Sequence, residues 1–243
     1  VLVADGHALK RAGMMYVVQQ HPTLEVVGEA IDLATACQFV AEQQPDLVVF
    51  NLALPGDGLA LLHAGKPLHP RARWIAVSPS RDVLTLQRAL RAGAGGCVLE
   101  EETRELVAAL REVAAGRTFL SEKVSALLLG AARQGPTRCE KLLSSLSDRE
   151  WQVFRRLGEG QGPAAMAQEL KVSAKTVETY ERRIVEKLHL TGATQLRAVA
   201  EDWVARNSGP PEVVGHMLFD SESHGNEWLT PWEVDQRPVI FVN

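Results

Sequence analysis

Apolar positions along the chain follow two rhythms. Over residues 1–115, short apolar runs at 1–4, 24–27, 47–50, 75–77 and 97–99 alternate with segments in which apolar residues recur every three or four positions. The runs are too short for helices and are bounded by turn residues, so they predict buried strands. Between them, Leu9/Met14/Val17/Val18, Leu33/Ala36/Val40, Leu59/Leu61/Leu62, Val83/Leu86/Leu90 and Leu106/Leu110/Val113 supply helical stripes. Five such β-α repeats with short joints predict an α/β, doubly wound parallel sheet whose working site lies beyond the carboxyl ends of its strands.

The rhythm changes at Leu146, where an all-α segment begins. Ser147 and Glu150 form a capping-box pattern, each side chain positioned to satisfy the other's amide. Val153, Phe154 and Leu157 carry the apolar side of the helix that follows, and Gly158 and Gly160 end it. Pro163 opens a short second helix with Met166, Ala167 and Leu170 inward. Ser173 caps a third, where loss of the side-chain acceptor costs about 1 kcal/mol. On that third helix Val177, Ile184 and Leu188 share one stripe, with Lys175, Glu178, Thr179 and Arg182 opposite. One face is built to pack and the other to touch a partner, which is the pattern of a helix-turn-helix whose last helix enters a major groove.

By projection Lys175, Glu178, Thr179, Arg182 and Arg183 are the candidates for contact with double-stranded DNA. Arg182 suits guanine edges or phosphate, Thr179 a thymine methyl, and Glu178 only a donor such as the cytosine amino group. Lys171, Thr176, Tyr180 and Lys187 fit backbone contact or packing. A blander reading makes Glu178, Glu181 and Arg182 a solvated face with local ion pairs.

Charge does not advertise this role. The net charge is −4, and residues 146–206 hold ten lysines and arginines against nine acids. DNA affinity must therefore come from charge gathered on one face, and it falls steeply with salt. No apolar run approaches a membrane span and no signal peptide is evident, so the expected compartment is the cytoplasm, with no membrane partner. Cys37, Cys97 and Cys139 are isolated, indicating neither a disulfide framework nor a zinc site. No glycine loop, metal-ligand spacing or nucleophile-base pair predicts an enzyme, a catalytic residue or a cofactor. The chain opens within an apparent strand without methionine, so native residues are expected to precede it.

Several separated signatures, L-S-D-R-E, A-A-M-A-Q-E-L, V-S-A-K-T-V-E-T-Y and I-V-E-K-L-H-L, resemble in order the LuxR-type DNA-binding domain of NarL/FixJ response regulators. The resemblance implies a fourth helix near 194–204 that pairs two domains, hence a homodimer on a two-fold site. Residues 1–7, 45–62 and 92–99 are similar to the receiver domain of the same regulators, a flavodoxin-like fold. A working receiver carries two adjacent acids that hold magnesium, an aspartate acceptor, a hydroxyl and a lysine. Here Asp5 stands at the first acid and Gly6 at the second. Asn51 stands at the acceptor, Ser78 keeps the hydroxyl, Glu100 replaces the lysine, and Cys97 replaces the usual switch aromatic. An amide has no anionic oxygen to attack phosphorus, and Glu100 repels a phosphoryl group where the lysine draws one. The expectation is a degenerate receiver, not phosphorylated and holding no metal.

The parts expected are a receiver-like domain at 1–115, a linker with a helix at 116–145, the helix-turn-helix domain at 146–206 and an acidic, Trp-containing extension at 207–243. In the linker, Ser121-Glu122-Lys123-Val124 opens a helix through Leu129 that Gly135-Pro136-Thr137 breaks. The extension mixes acids with Met217-Leu218-Phe219, Trp228, Trp232 and the apolar run 239–242, and is too apolar for a solvated tail. It is expected to pack on its own chain or a partner subunit, and in a sharper version to inhibit DNA binding. The function read from the sequence is a dimeric DNA-binding transcription regulator whose receiver answers to an unknown ligand or protein partner. The sequence leaves open whether Asp5, Asn51 and Ser78 merely bond strand-end backbone. It also leaves open a protein-interaction adaptor and a conventional phosphorylated response regulator.

Overall fold

A computed structural model describes residues 1–207, so the expected packing of the extension falls on residues 208–243, outside the described residues. The first half is a parallel sheet flanked by helices. Its strands are β1 (Leu2–Ala4), β2 (Gly28–Ala30), β3 (Leu47–Asn51), β4 (Arg73–Ser78), β5 (Gly96–Leu99) and β6 (Phe119–Leu120), in the spatial order β2-β1-β3-β4-β5-β6. Helices α1 (Ala8–Gln19), α2 (Leu33–Gln43), α3 (Gly58–Leu68), α4 (Val83–Arg91) and α5 (Leu106–Ala114) connect them.

The strands β1, β3, β4 and β5 bury both faces, as their near-continuous apolar sequence requires. Val3, Val49, Ile75 and Val98 meet Met14, Val18, Leu106 and Leu110 of α1 and α5 on one side. Leu2, Val48, Phe50 and Trp74 meet α2, α3 and α4 on the other. Phe50 and Trp74 pack edge to face at 5.9 Å between centroids.

Three expectations need correction. The second strand is Gly28–Ala30 and not 24–27, because the ladder to β1 starts at Leu2 opposite Gly28. Residues 24–27 form the approach to it: Leu24 N donates to His21 O at 3.1 Å and Val27 N to Val1 O at 2.9 Å. Their apolar content reflects Leu24 and Val26 packing beside the core, not ladder pairing. The sheet also has six strands instead of five, since Phe119 and Leu120 pair with Gly96 and Cys97. A two-residue strand is too short to show periodicity, so the stretch read as linker begins inside the sheet. Leu9, placed on the α1 stripe, is 86% exposed.

The linker then forms α6 (Glu122–Gln134), longer than expected, and α7 (Arg138–Ser144), which was not foreseen. A Thr137–Glu140 capping box starts α7. The all-α half comprises α8 (Asp148–Gly158), α9 (Pro163–Leu170), α10 (Ala174–Lys187) and α11 (Ala193–Asn207). The Ser147–Glu150 capping box, Pro163 in the first turn of α9 and the Ser173 cap of α10 all form. Gly160, at φ +79°, is the residue that stops α8. Gly158 serves another purpose: a Cβ there would stand 2.3 Å from Ala200 O, so its absence lets α11 cross close to α8.

Arg88 of α4 joins the halves. Its Nη1 donates to Asp148 Oδ1 at 2.8 Å, and its Nη2 donates to Leu143 O at 3.1 Å and Leu146 O at 2.8 Å. The guanidinium lies 5.0 Å from the centroid of the Trp151 ring. His63 Nε2 of α3 lies 2.9 Å from Asp148 Oδ2. The contact therefore engages the entry of α8 and leaves α10 outside it.

Candidate functional site

Two places concentrate polar groups that the core does not explain: the carboxyl end of the sheet and the outer face of α10. At the first, Asn51 ends β3 and is 97% buried. Its Nδ2 donates to Asp5 Oδ2 at 2.7 Å and to Glu100 Oε1 at 2.6 Å, while its Oδ1 accepts from Ala53 N at 2.8 Å. These partners settle the amide orientation, because a flip would turn its oxygen onto two carboxylates and its NH2 onto an NH. Asp5 Oδ1 accepts from His7 N at 2.7 Å. Glu100 Oε2 accepts from Lys10 Nζ at 2.7 Å. Every oxygen of Asp5 and Glu100 thus has a donor within the chain.

The other pocket residues are turned aside. Ser78 Oγ donates to Ser80 O at 2.6 Å and accepts from Ser80 N at 3.2 Å, holding the loop after β4 instead of facing Asn51. A Cβ at Gly6 would stand 2.6 Å from Pro55 Cδ, so a side chain there requires the Pro55 ring to move. Cys97 is buried in β5, and burial pushes its thiol up to about 12. Lys10 was missed by the sequence reading. The available signal was Glu100 itself, since a carboxylate facing Asp5 across a pocket calls for a cation nearby.

A divalent metal needs several anionic oxygens free to coordinate. Here Gly6 contributes none and Asn51 presents NH2 hydrogens to the two carboxylates. Among the described residues no cluster of three His, Cys, Asp or Glu could hold a metal ion. The residues do not fit the magnesium site of a working receiver.

On α10, Val177, Ile184 and Leu188 are buried, as the stripe required. Lys175, Glu178, Arg182 and Arg183 are exposed, and Thr176 and Thr179 are half-buried. Thr179 Oγ1 donates to Lys175 O at 2.8 Å, which leaves its methyl as the group it can offer a base. Thr176 Oγ1 lies 2.8 Å from Ser173 Oγ at the cap. Arg182 makes only a 4.0 Å approach to Glu186, with both side chains well exposed. Lys187 differs: its Nζ donates to Glu150 Oε2 at 2.6 Å and Ser145 O at 3.3 Å, tying α10 to the start of α8. Glu181 turns inward, where burial pushes its carboxyl up against the opposing pull of Arg197. The solvated ion-pair reading of this face therefore does not extend to Glu181.

A six-stranded parallel α/β domain with a hydrogen-bonded polar cluster at its strand ends, followed by a helix-turn-helix with an open polar face, defines a receiver-type regulator. The receiver domain of response regulators matches residues 1–111, and the bacterial regulatory proteins of the luxR family match residues 144–200. A probable transcriptional regulatory protein NarL from Mycobacterium tuberculosis is 33% identical over 203 residues, covering 83% of this chain and 92% of that protein. The DNA-binding transcriptional activator DevR/DosR of the same organism is 30% identical over 213 residues, covering 87% and 97%. The chain belongs to the LuxR-type, NarL/FixJ family of DNA-binding response regulators. A structure of RcsB from Salmonella enterica serovar Typhimurium, bound to the rprA promoter with a phosphomimetic, has the same fold, at TM-score 0.63 and 22% identity over 82% of this chain and 96% of that one. Among the described residues no helix is long and apolar enough to cross a membrane.

Proposed function

We propose that this regulator binds a two-fold DNA site as a homodimer through the outer face of α10, and that its receiver acts without aspartyl phosphorylation. The observation that carries the second part is the Asn51 amide held between Asp5 and Glu100. Phosphoryl transfer needs an anionic nucleophile, a metal to gather the phosphoryl oxygens and a cation to receive them. Asn51 offers an amide, and Lys10 is spent on Glu100. The same bonds that exclude phosphate hold β1, β3 and the turn after β5 together, so the domain keeps a fixed strand-end geometry. A cavity of about 250 Å³ lined by Met14, Val77, Val98 and Leu106, with Asp5, Lys10 and Glu100 among its walls, supports regulation by a small ligand or a protein partner at this end.

The DNA-binding part rests on charge placement. Lys175, Arg182 and Arg183 are exposed on one helix, where they can contact phosphate and base edges despite the acidic total. Random-library selection with the purified chain should return one two-fold motif bound more tightly than bulk DNA, with affinity falling linearly in log-log plots against salt. Binding without site preference would identify an adaptor instead. Incubation with a small-molecule phosphoryl donor and magnesium should add no mass; a hydroxylamine-labile increase would restore conventional phosphotransfer.

A further inference from the structure

Between α4, α6 and the start of α7 lies an open groove of about 520 Å³ that the DNA-binding role does not use. Val83, Ala126, Leu127 and Ala131 form its apolar walls, and Arg81, Lys123 and Glu140 also line it. Glu140 is committed to the α7 cap, accepting from Thr137 N at 2.7 Å. The two cations share one anion, since both Arg81 and Lys123 pair with Glu101. Arg81 Nε is moreover buried without a hydrogen-bond partner among the described residues. A buried donor of this kind calls for an acceptor.

The chain itself ends its described course beside this groove. Asn207, the last residue of α11, accepts through its carbonyl oxygen from Ser80 Oγ at 2.7 Å. Ser80 precedes Arg81, which lines the groove, so the end of α11 is anchored next to a groove residue. The sequence that follows reads Ser208-Gly209-Pro210-Pro211, then Glu212, then Met217-Leu218-Phe219-Asp220. Residues 208–243 carry six carboxylates against Arg237 as the only lysine or arginine. An extended chain of ten residues spans up to about 35 Å, ample to reach α6 from Asn207.

We infer that this groove receives the chain's own extension, with residues 217–219 against Val83, Leu127 and Ala131 and a carboxylate from the same stretch accepting from Arg81. Seated there, the segment joins the receiver's α4 to the linker helices. It lies away from α10, so its effect on DNA is through domain arrangement and not by covering the recognition face.

The test uses the full chain with a photo-crosslinking phenylalanine analogue at position 219. Irradiation should give an intrachain crosslink that maps to α6 near Ala126 and Leu127. Ala126→Glu, an exposed substitution on the groove wall, should cut its yield at least fivefold without changing the melting temperature, and Arg81→Ala should also lower it. Crosslinks to α10, crosslinks between differently labelled chains, absence of any crosslink, or a yield indifferent to Ala126→Glu would each overturn the assignment. None of these outcomes bears on DNA recognition, which is read separately by site selection.

Discussion

The strand-end pocket and the outer face of α10 are both polar, but they dispose of charge in opposite ways. In the pocket, Asp5, Asn51, Glu100 and Lys10 form a chain of hydrogen bonds in which each charged oxygen already has a donor. On α10, Lys175 and Arg183 are exposed with no ion pair among the described residues, and Arg182 is held only by a 4.0 Å contact. A satisfied polar network rigidifies a fold, whereas unpaired surface cations retain their attraction for an outside anion. Polarity alone therefore does not mark a binding site; what matters is whether the polar groups have already found one another.

The largest effect expected from breaking this contrast is on DNA. Replacing Lys175, Thr179 and Arg182 together by alanine should weaken binding to a selected site at least a hundredfold, since each base contact is worth about 1–3 kcal/mol. Thermal unfolding should move little, because these side chains contribute almost nothing to the core. Fluorescence anisotropy at two salt concentrations measures both affinity and slope, and an unchanged affinity would remove α10 as the reading helix.

A smaller effect is expected in the pocket. Asn51→Asp places a third carboxylate where the amide NH2 now bridges two, and should destabilise the fold by about 2 kcal/mol at neutral pH. Denaturant unfolding tests this directly. A variant as stable as the parent would show that the network around Asn51 is not what holds the strand ends.

The smallest concerns the α8–α10 tie, in which Lys187 of α10 donates to Glu150 at the start of α8. Burial pushes the Glu150 carboxyl up, but hydrogen bonds from Lys187 and Ser147 outweigh it and hold the group below its ordinary value of 4.5. A carboxyl whose folded value is depressed contributes stability above that ordinary value and loses it as pH falls through the folded value. Glu150→Gln should therefore cost about 1 kcal/mol at pH 7. The gap between parent and variant should narrow below about pH 4.5. A gap independent of pH would assign the loss to packing alone.

Much of the architecture was legible in advance because it is written in local patterns. The Ser147–Glu150 box, Pro163, the Ser173 cap and the Val177/Ile184/Leu188 stripe each act within a turn or two of helix, so residue spacing suffices to place them. The buried strands β1, β3, β4 and β5 announced themselves by uninterrupted apolar runs. Where the relation is between distant segments, spacing fails. The position of β2 was settled by its ladder to Leu2, β6 by pairing to β5, and α7 by a cap within what read as linker. The meaning of Gly158 depended on Ala200 crossing above it.

The site shows the same division. At the strand ends the residue types alone, an amide at 51, a glycine at 6 and a glutamate at 100, were enough to raise the expectation of a receiver without aspartyl phosphorylation. That Lys10 would pair with Glu100 across 90 positions of sequence, that the Asn51 amide would bridge both acids, and that Lys187 would bond to Glu150 were decided only by folding. Residue identity determines which charges and donors exist; which of them meet, and so cancel, depends on how the sheet and helices bring remote segments within hydrogen-bond reach.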